Sequence, residues 1–166
     1  MSDDLKFAIR PGDLESLRAA AERLYVETAA KLRGLLPCAA EIRHIGATAI
    51  EGCLTKGDLD VVVRVQPKDF LKADEALAGQ FCRNPGSARS PYFSAFEDST
   101  TSPHLGVQLT AIGGPQDFFH LFAEALQENV ALVAAYNALK RKFDGRPMDE
   151  YRSAKDAFIA KVLTSI

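Results

Sequence analysis

The chain has 166 residues with 20 basic and 22 acidic side chains, for a net charge of -2, so it lacks the global basic field of a dedicated nucleic-acid binder. At this length folding buries about 70% of the unfolded surface, enough for one core, and residues 1–166 are read as a single domain that is helical from about residue 116. Cys38, Cys53 and Cys82 form no C-x-x-C pair, no signal-peptide pattern opens the chain, and no apolar run nears the roughly 20 residues of a membrane span, so the expectation is a soluble cytoplasmic protein with reduced thiols and no membrane partner.

Asp13-Leu14-Glu15 opens an Ala/Leu/Arg-rich helical pattern that continues to Leu36 and stops at Pro37, its acids placed where a helix N-terminus has orphan amides. Glu41 to Gly46 reads as a first strand. Leu59 to Val65 reads as a second, interior one, because its β-branched run is apolar on both faces. Pro67 to Ala78 has helical spacing, and Asn84 to Pro91 is a turn-rich connection. Tyr92 to Phe96 and His104 to Ile112 read as two further strands joined by polar residues from Glu97 to Pro103. Gln116 to Gln127, Val130 to Phe143 and Pro147 to Leu163 carry apolar stripes, with a break at Gly145-Arg146-Pro147. The fold class is therefore α+β, a small mixed sheet between an N-terminal helix and a C-terminal helical segment.

The chemistry concentrates between His44 and Val65, read HIGATAIEGCLTKGDLDVVVRV, which contains the chain's one Asp-x-Asp. Side chains alternate along a strand, so Asp58 and Asp60 share a face, one pleat apart. Two carboxylates at the mouth of a buried strand are costly unless their charge is compensated. A divalent cation compensates it, since Mg²⁺ (or Mn²⁺) takes hard oxygen ligands and commonly pairs one or two carboxylates with substrate phosphates. An acid at the start of a strand also fits a solvated turn cap, as Asp13 fits a helix cap.

With these residues in view the chain resembles the GrpB-like family, which has the nucleotidyltransferase superfamily fold. His44-Ile45-Gly46-x-Thr48-Ala49, then Gly52, Lys56 and Asp60, stand where the family carries its front signature. Tyr136-Asn137-Ala138-Leu139-Lys140 and Tyr151-x-x-x-Lys155-x-x-Phe158-Ile159 look like its two rear segments. The resemblance spans nearly the whole length. Ala47 replaces the small hydroxyl residue that the superfamily sets against a nucleotide phosphate, with Thr48 next door and accessible amides at Gly46 as substitutes. Glu51 and Gly57 replace common prolines, and Asp58 stands where many members have an aliphatic residue.

The strand pattern points to metal ligation by Asp58 and Asp60, of which Asp60 is the acid that the resemblance supplies. The resemblance also implies a nucleotide-binding set of His44, Gly46, Ala47, Thr48, Lys56, Tyr136, Lys140, Tyr151 and Lys155. Tyr136 and Lys140 are four residues apart, as are Tyr151 and Lys155, so each pair lies on one helix face. Leu132, Tyr136, Leu139 and Phe143 equally form a packing stripe. Nucleotidyl transfer normally uses a third carboxylate on a neighbouring strand. The strand from His104 to Ile112 offers only Gln108, a neutral oxygen donor, and His104, a base, a ligand or a histidine bonded to backbone. His44 fits a loop brace as well as chemistry. The expected activity is Mg²⁺-dependent transfer of a nucleoside monophosphate from a triphosphate to an unidentified acceptor hydroxyl. The alternative is a noncatalytic nucleotide or small-molecule binding module on the same fold.

Overall fold

The valine run forms the second strand of a five-stranded sheet in a computed structural model that describes residues 5–9 and 12–166. Along the chain come α1 (Leu14–Leu35), β1 (Glu41–Ile45), β2 (Leu59–Val65), α2 (Phe70–Ala78), β3 (Cys82–Arg83), β4 (Phe93–Asp98), β5 (Leu105–Ala111), α3 (Phe119–Gln127), α4 (Val130–Phe143) and α5 (Met148–Thr164). The sheet order is β1-β2-β5-β4-β3. Only β2 and β5 run parallel, a pairing that needs a long crossover, supplied here by α2, β3 and β4.

The two faces of β2 have separate fates. Leu59, Val61, Val63 and Val65 join Leu105, Val107, Leu109 and Ala111 of β5 beneath α1 and α2. Helix α1 starts where Asp13 Oδ1 accepts from the Glu15 amide at 3.1 Å, and it buries Ala21, Ala29 and Leu32. On the opposite face Asp60, Val62 and Arg64 stand level with Gly106, Gln108 and Thr110 of β5 and with Ile45, Arg43 and Glu41 of β1. Helix α3 covers the middle of this face, packing Ala123 and Phe119 on Ile45 and Val62. A further apolar cluster, including Ile50, Cys53, Leu126, Val133, Tyr136 and Val162, ties α3, α4 and α5 to the loop after β1.

The elements match the sequence reading except at particular ends. Helix α3 begins at Phe119 rather than Gln116, because Asp117 is held in a turn by Arg64, whose Nε and Nη2 donate to it at 2.6 and 2.8 Å, and by the Gly113 amide at 2.9 Å. A 3₁₀ turn over Pro67–Asp69 precedes α2. Strand β4 continues two residues past Phe96, since Glu97 and Asp98 keep their pairing with Gly106 and Leu105. The two-residue β3 is too short to leave a periodic signal.

Arg64 also pairs with Glu41, so one largely buried guanidinium joins β1, β2 and the turn that aims α3. Removing one partner of a buried pair leaves an uncompensated charge. Asp117→Ala is expected to lower unfolding stability by about 2–3 kcal/mol at neutral pH, with Glu41 retaining part of the pairing. The Arg64 hydrogen bond holds the Asp117 carboxyl below its usual range. Its stabilisation is thus complete above the unfolded carboxylate value and lost as pH falls through the folded one. Urea unfolding between pH 7 and pH 3 should show a shallower acid loss in Asp117→Ala, and equal slopes would remove this pair from the acid response.

Candidate functional site

The site is built around Asp60. Gly46, at the end of β1, has φ 76° and ψ -175°, a backbone region that side chains rarely allow. A Cβ there would lie 2.6 Å from Asp60 Oδ2, and one on Gly106 of β5 would lie 2.9 Å from Asp60 Oδ1. Both distances are shorter than a Cβ contact tolerates, so the carboxylate occupies a slot that exists because its neighbours on both strands are glycines. Burial pushes the Asp60 carboxyl up to about 6; Asp58 adds to this, while Lys155, then His104 and Lys56, act against it.

The loop after β1 is braced from behind. The Thr48 hydroxyl donates to the Asp58 carbonyl at 2.9 Å and lies 2.8 Å from His44 Nε2. His44 Nδ1 lies 2.8 Å from Glu22 Oε2 on α1, and the imidazole stacks on Tyr25. Burial holds His44 below the ordinary imidazole value, with Glu22 opposing. Farther along the loop, Asn137 of α4 accepts from the Leu54 amide at 2.8 Å and donates to the Gly52 carbonyl at 2.9 Å. Helix α4 thus pins the loop at Gly52 and Leu54, ahead of Lys56, while Thr48 holds it at Asp58.

Asp58 and Asp60 open into a cavity of about 420 Å³. Its walls bring together residues distant in sequence: Gly46 and Ala47 from the loop, Gln108 from β5, Tyr136 and Lys140 from α4, and Tyr151 and Lys155 from α5. Four cations, Lys56, Lys140, Arg152 and Lys155, face two carboxylates there. Lys56 lies 3.6 Å from Asp58 Oδ2. Lys140 is 5% exposed; its Nζ donates to the Leu54 carbonyl, sits 3.8 Å from Cys53 Sγ and lies 4.4 Å above the Tyr136 ring. Burial lowers its ammonium to about 8. Gln108 Nε2 crowds the same space over Gly106 as the Asp60 carboxylate, while its Oε1 has no partner.

His44, Thr48 and His104 are not among the residues lining this cavity. The first two brace the loop, and His104 pairs with Glu97 at 3.6 Å, ahead of β5. Asp98 is turned away, accepting from Thr100 at 2.9 Å. Among the described residues no group of three or more His, Cys, Asp or Glu is arranged to hold a metal; Asp58 and Asp60 are the carboxylates that line the cavity. Sequence reasoning missed Arg152, Asn84 and the aromatic wall Phe118, Phe119 and Phe122. Arg152 stands three residues before Lys155 and was within reach of the same helical argument. The phenylalanines read simply as core.

The pattern of the GrpB protein family matches residues 13–165. This chain belongs to the GrpB family. A UPF0157 protein of Vibrio cholerae is 35% identical over 150 residues, spanning 90% of this chain and 79% of that protein. The crystal structure of GrpB from Enterococcus faecalis superposes with a TM-score of 0.68 at 22% identity, covering 88% of this chain and 92% of that one. The Cid1 poly(U) polymerase with MgGTP bound superposes with a TM-score of 0.52 at 14% identity, over 79% of this chain and 42% of the polymerase. The last two likenesses establish the fold, which is nucleotidyltransferase-like. No helix among the described residues is long and apolar enough to cross a membrane.

The Asp60 environment has a measurable signature. Its folded pKa of about 6 exceeds the unfolded value of about 3.9, so the folded protein binds this proton more tightly. Stability linked to Asp60 is present below the unfolded value and lost as pH rises through 6. In divalent-free buffer Asp60→Asn should be more stable than wild type at pH 7.5 by about 2 kcal/mol, with the difference vanishing near pH 4. Urea melts at both pH values decide it; a destabilised Asp60→Asn at pH 7.5 would mean the carboxylate is already compensated.

Proposed function

We propose that the chain is a Mg²⁺-dependent nucleotidyltransferase (Mn²⁺ serving in place of Mg²⁺) that moves a nucleoside monophosphate from a triphosphate to an acceptor hydroxyl. The observation that carries this reading is the Asp60 slot. A carboxylate slotted between two glycines beside a second carboxylate, in a cavity whose charged lining is otherwise Lys56, Lys140, Arg152 and Lys155, is an arrangement that a metal and a polyphosphate complete together. The fold held in common with the Cid1 polymerase supports it, as fold-level analogy.

The donor set suits the ion: Asp58 and Asp60 offer hard carboxylate oxygens, and among the described residues Asp60 has no ion-pair partner. When bound, Mg²⁺ would offset phosphate charge and polarise the reacting phosphoryl group. The protein does the rest. Gly46 and Ala47 present backbone to the cavity without an intervening hydroxyl side chain, since the Thr48 hydroxyl is committed to Asp58 and His44. Lys155, the cation with the largest effect on Asp60, and Lys56 flank the space the polyphosphate would take and counter charge that grows as pyrophosphate leaves. Arg152 extends the same wall. The half-buried phenylalanines of α3 close it against water.

A noncatalytic nucleotide-binding module is the second reading, favoured by the lack of a third metal-binding group among the described residues. Turnover separates the two: pyrophosphate release from a panel of triphosphates with Mg²⁺ or Mn²⁺, in the presence of a metabolite extract as acceptor.

Two outcomes are expected at the binding level. A metal and triphosphate that bind only the folded state should raise the melting temperature, and Asp60→Asn should abolish the rise. No shift in wild type with millimolar Mg²⁺ or Mn²⁺ and ATP or GTP would end the metal-site reading. Lys56→Ala should weaken binding of a nonhydrolysable triphosphate about tenfold, the scale of one hydrogen bond to a charged group; equal affinities in calorimetric titration would remove Lys56 from the site.

A further inference from the structure

We propose that Lys140 is a covalent nucleophile: its ε-amine takes the nucleotidyl group as a phosphoramidate before the acceptor hydroxyl receives it. This rests on the nucleotidyltransferase reading and supplies what that reading lacks. The β5 positions on the reacting face are Gly106, Gln108 and Thr110, none of which can serve as the carboxylate that would prepare an acceptor hydroxyl.

Lys140 lines the cavity that holds Asp58 and Asp60, yet its own contacts are neutral: the Leu54 carbonyl, the Cys53 sulfur and the Tyr136 ring. No carboxylate among the described residues pairs with it. A lysine desolvated in this way, with another cation nearby, is the standard setting for an amine nucleophile. Burial comes first among the causes that lower its ammonium to about 8, and Lys155 adds to it. Two N–H bonds directed at the Leu54 oxygen and the Cys53 sulfur leave the nitrogen lone pair free. A purely structural strut would be redundant, since Asn137 one turn earlier already fixes the same loop by two hydrogen bonds. Cys53 is the weaker alternative: it is fully buried, and burial raises its thiol pKa.

In the first step the amine lone pair attacks the α-phosphorus. An N–P bond forms, the bond from that phosphorus to the bridging oxygen breaks, and pyrophosphate leaves with the electron pair and takes up the proton shed by nitrogen. In the second step the acceptor oxygen attacks the same phosphorus as the P–N bond breaks. The departing nitrogen collects the hydroxyl proton, which is the work a third carboxylate would otherwise do.

The test is wild-type protein incubated with MgCl₂ and each common ribonucleoside triphosphate, without acceptor, and followed by intact mass and peptide mapping. The expected result is one nucleoside monophosphate per chain, attached at Lys140, labile to acid and stable to base, with a matching burst of pyrophosphate. Lys140→Arg keeps the charge and should carry no adduct, whereas Cys53→Ala should keep it. Absence of an adduct in wild type, an adduct mapped elsewhere, or one retained in Lys140→Arg overturns the inference. Calorimetric titration of the nonhydrolysable triphosphate runs beside it. Binding without adduct leaves direct transfer standing, and no binding removes both readings.

Discussion

Asp60 can occupy its place only because no side chain grows from Gly46 on one side or Gly106 on the other, and much of the architecture serves that constraint. Both glycines must flank the same residue, so β2 must run between β1 and β5. The sheet order delivers that by pairing β2 antiparallel to β1 and parallel to β5, with Asp60 level with Ile45 and Gly106. Gly46 must also leave β1 at a positive φ, which turns the chain back across the end of the sheet. The brace of His44, Thr48 and the Asp58 carbonyl then fixes that turn from the α1 side.

Charges elsewhere in the molecule are handled differently. Asp74, buried in α2, receives both ends of the Arg83 guanidinium at 2.9 and 2.7 Å, the Ser94 hydroxyl at 2.6 Å and Arg89 at 3.2 Å. The Arg83 hydrogen bond leads the causes that hold its carboxyl below the usual range. Asp117 shares this pattern with Arg64. At Asp60 the sign is reversed, with burial ahead of every opposing charge. Asp74 and Asp117 thus sit against fixed guanidinium groups, whereas Asp60 has no ion-pair partner among the described residues. The upward shift at Asp60 corresponds to about 2 kcal/mol at neutral pH, a sizeable fraction of the stability of a small domain.

The strands and long helices were legible because their burial follows simple periods. Leu59–Val65 could be placed inside the sheet from its apolar residues on both faces, and Val130–Phe143 from its stripe; the structure adds an Asn129 cap, whose side chain accepts from Ala131 and Leu132 at 3.0 and 3.3 Å. The pairing of Asp58 with Asp60 followed from the same two-residue period. Tertiary commitments were not legible. Nothing local tells that Thr48 turns its hydroxyl inward to Asp58, that Asp117 stays out of a helix to hold Arg64, or that Gly106 matters for what it lacks. The aromatic wall was hidden for a related reason: Phe118 and Phe119 stack on one another, and Phe119 on Phe93, so apolar composition looks the same whether it fills a core or lines a cavity.

The rear helices show why packing and chemistry need not compete for one pattern. Tyr136 and Tyr151 are nearly fully buried. Tyr136 stacks on Phe158 with centroids 5.3 Å apart, Tyr151 stacks on Phe7 at 3.7 Å, and their hydroxyls meet at 3.5 Å. Burial raises both phenols well above their ordinary value, so neither contributes a charge. One turn along each helix stands a lysine, Lys140 or Lys155, and both line the cavity. A four-residue step on a helix advances slightly more than one turn, so a tyrosine locked into the core fixes where the next cation points. The stripe that reads as packing is therefore what aims the cations, and a change that loosened either tyrosine would move charge in the cavity that Asp60 faces without altering the strand that carries it.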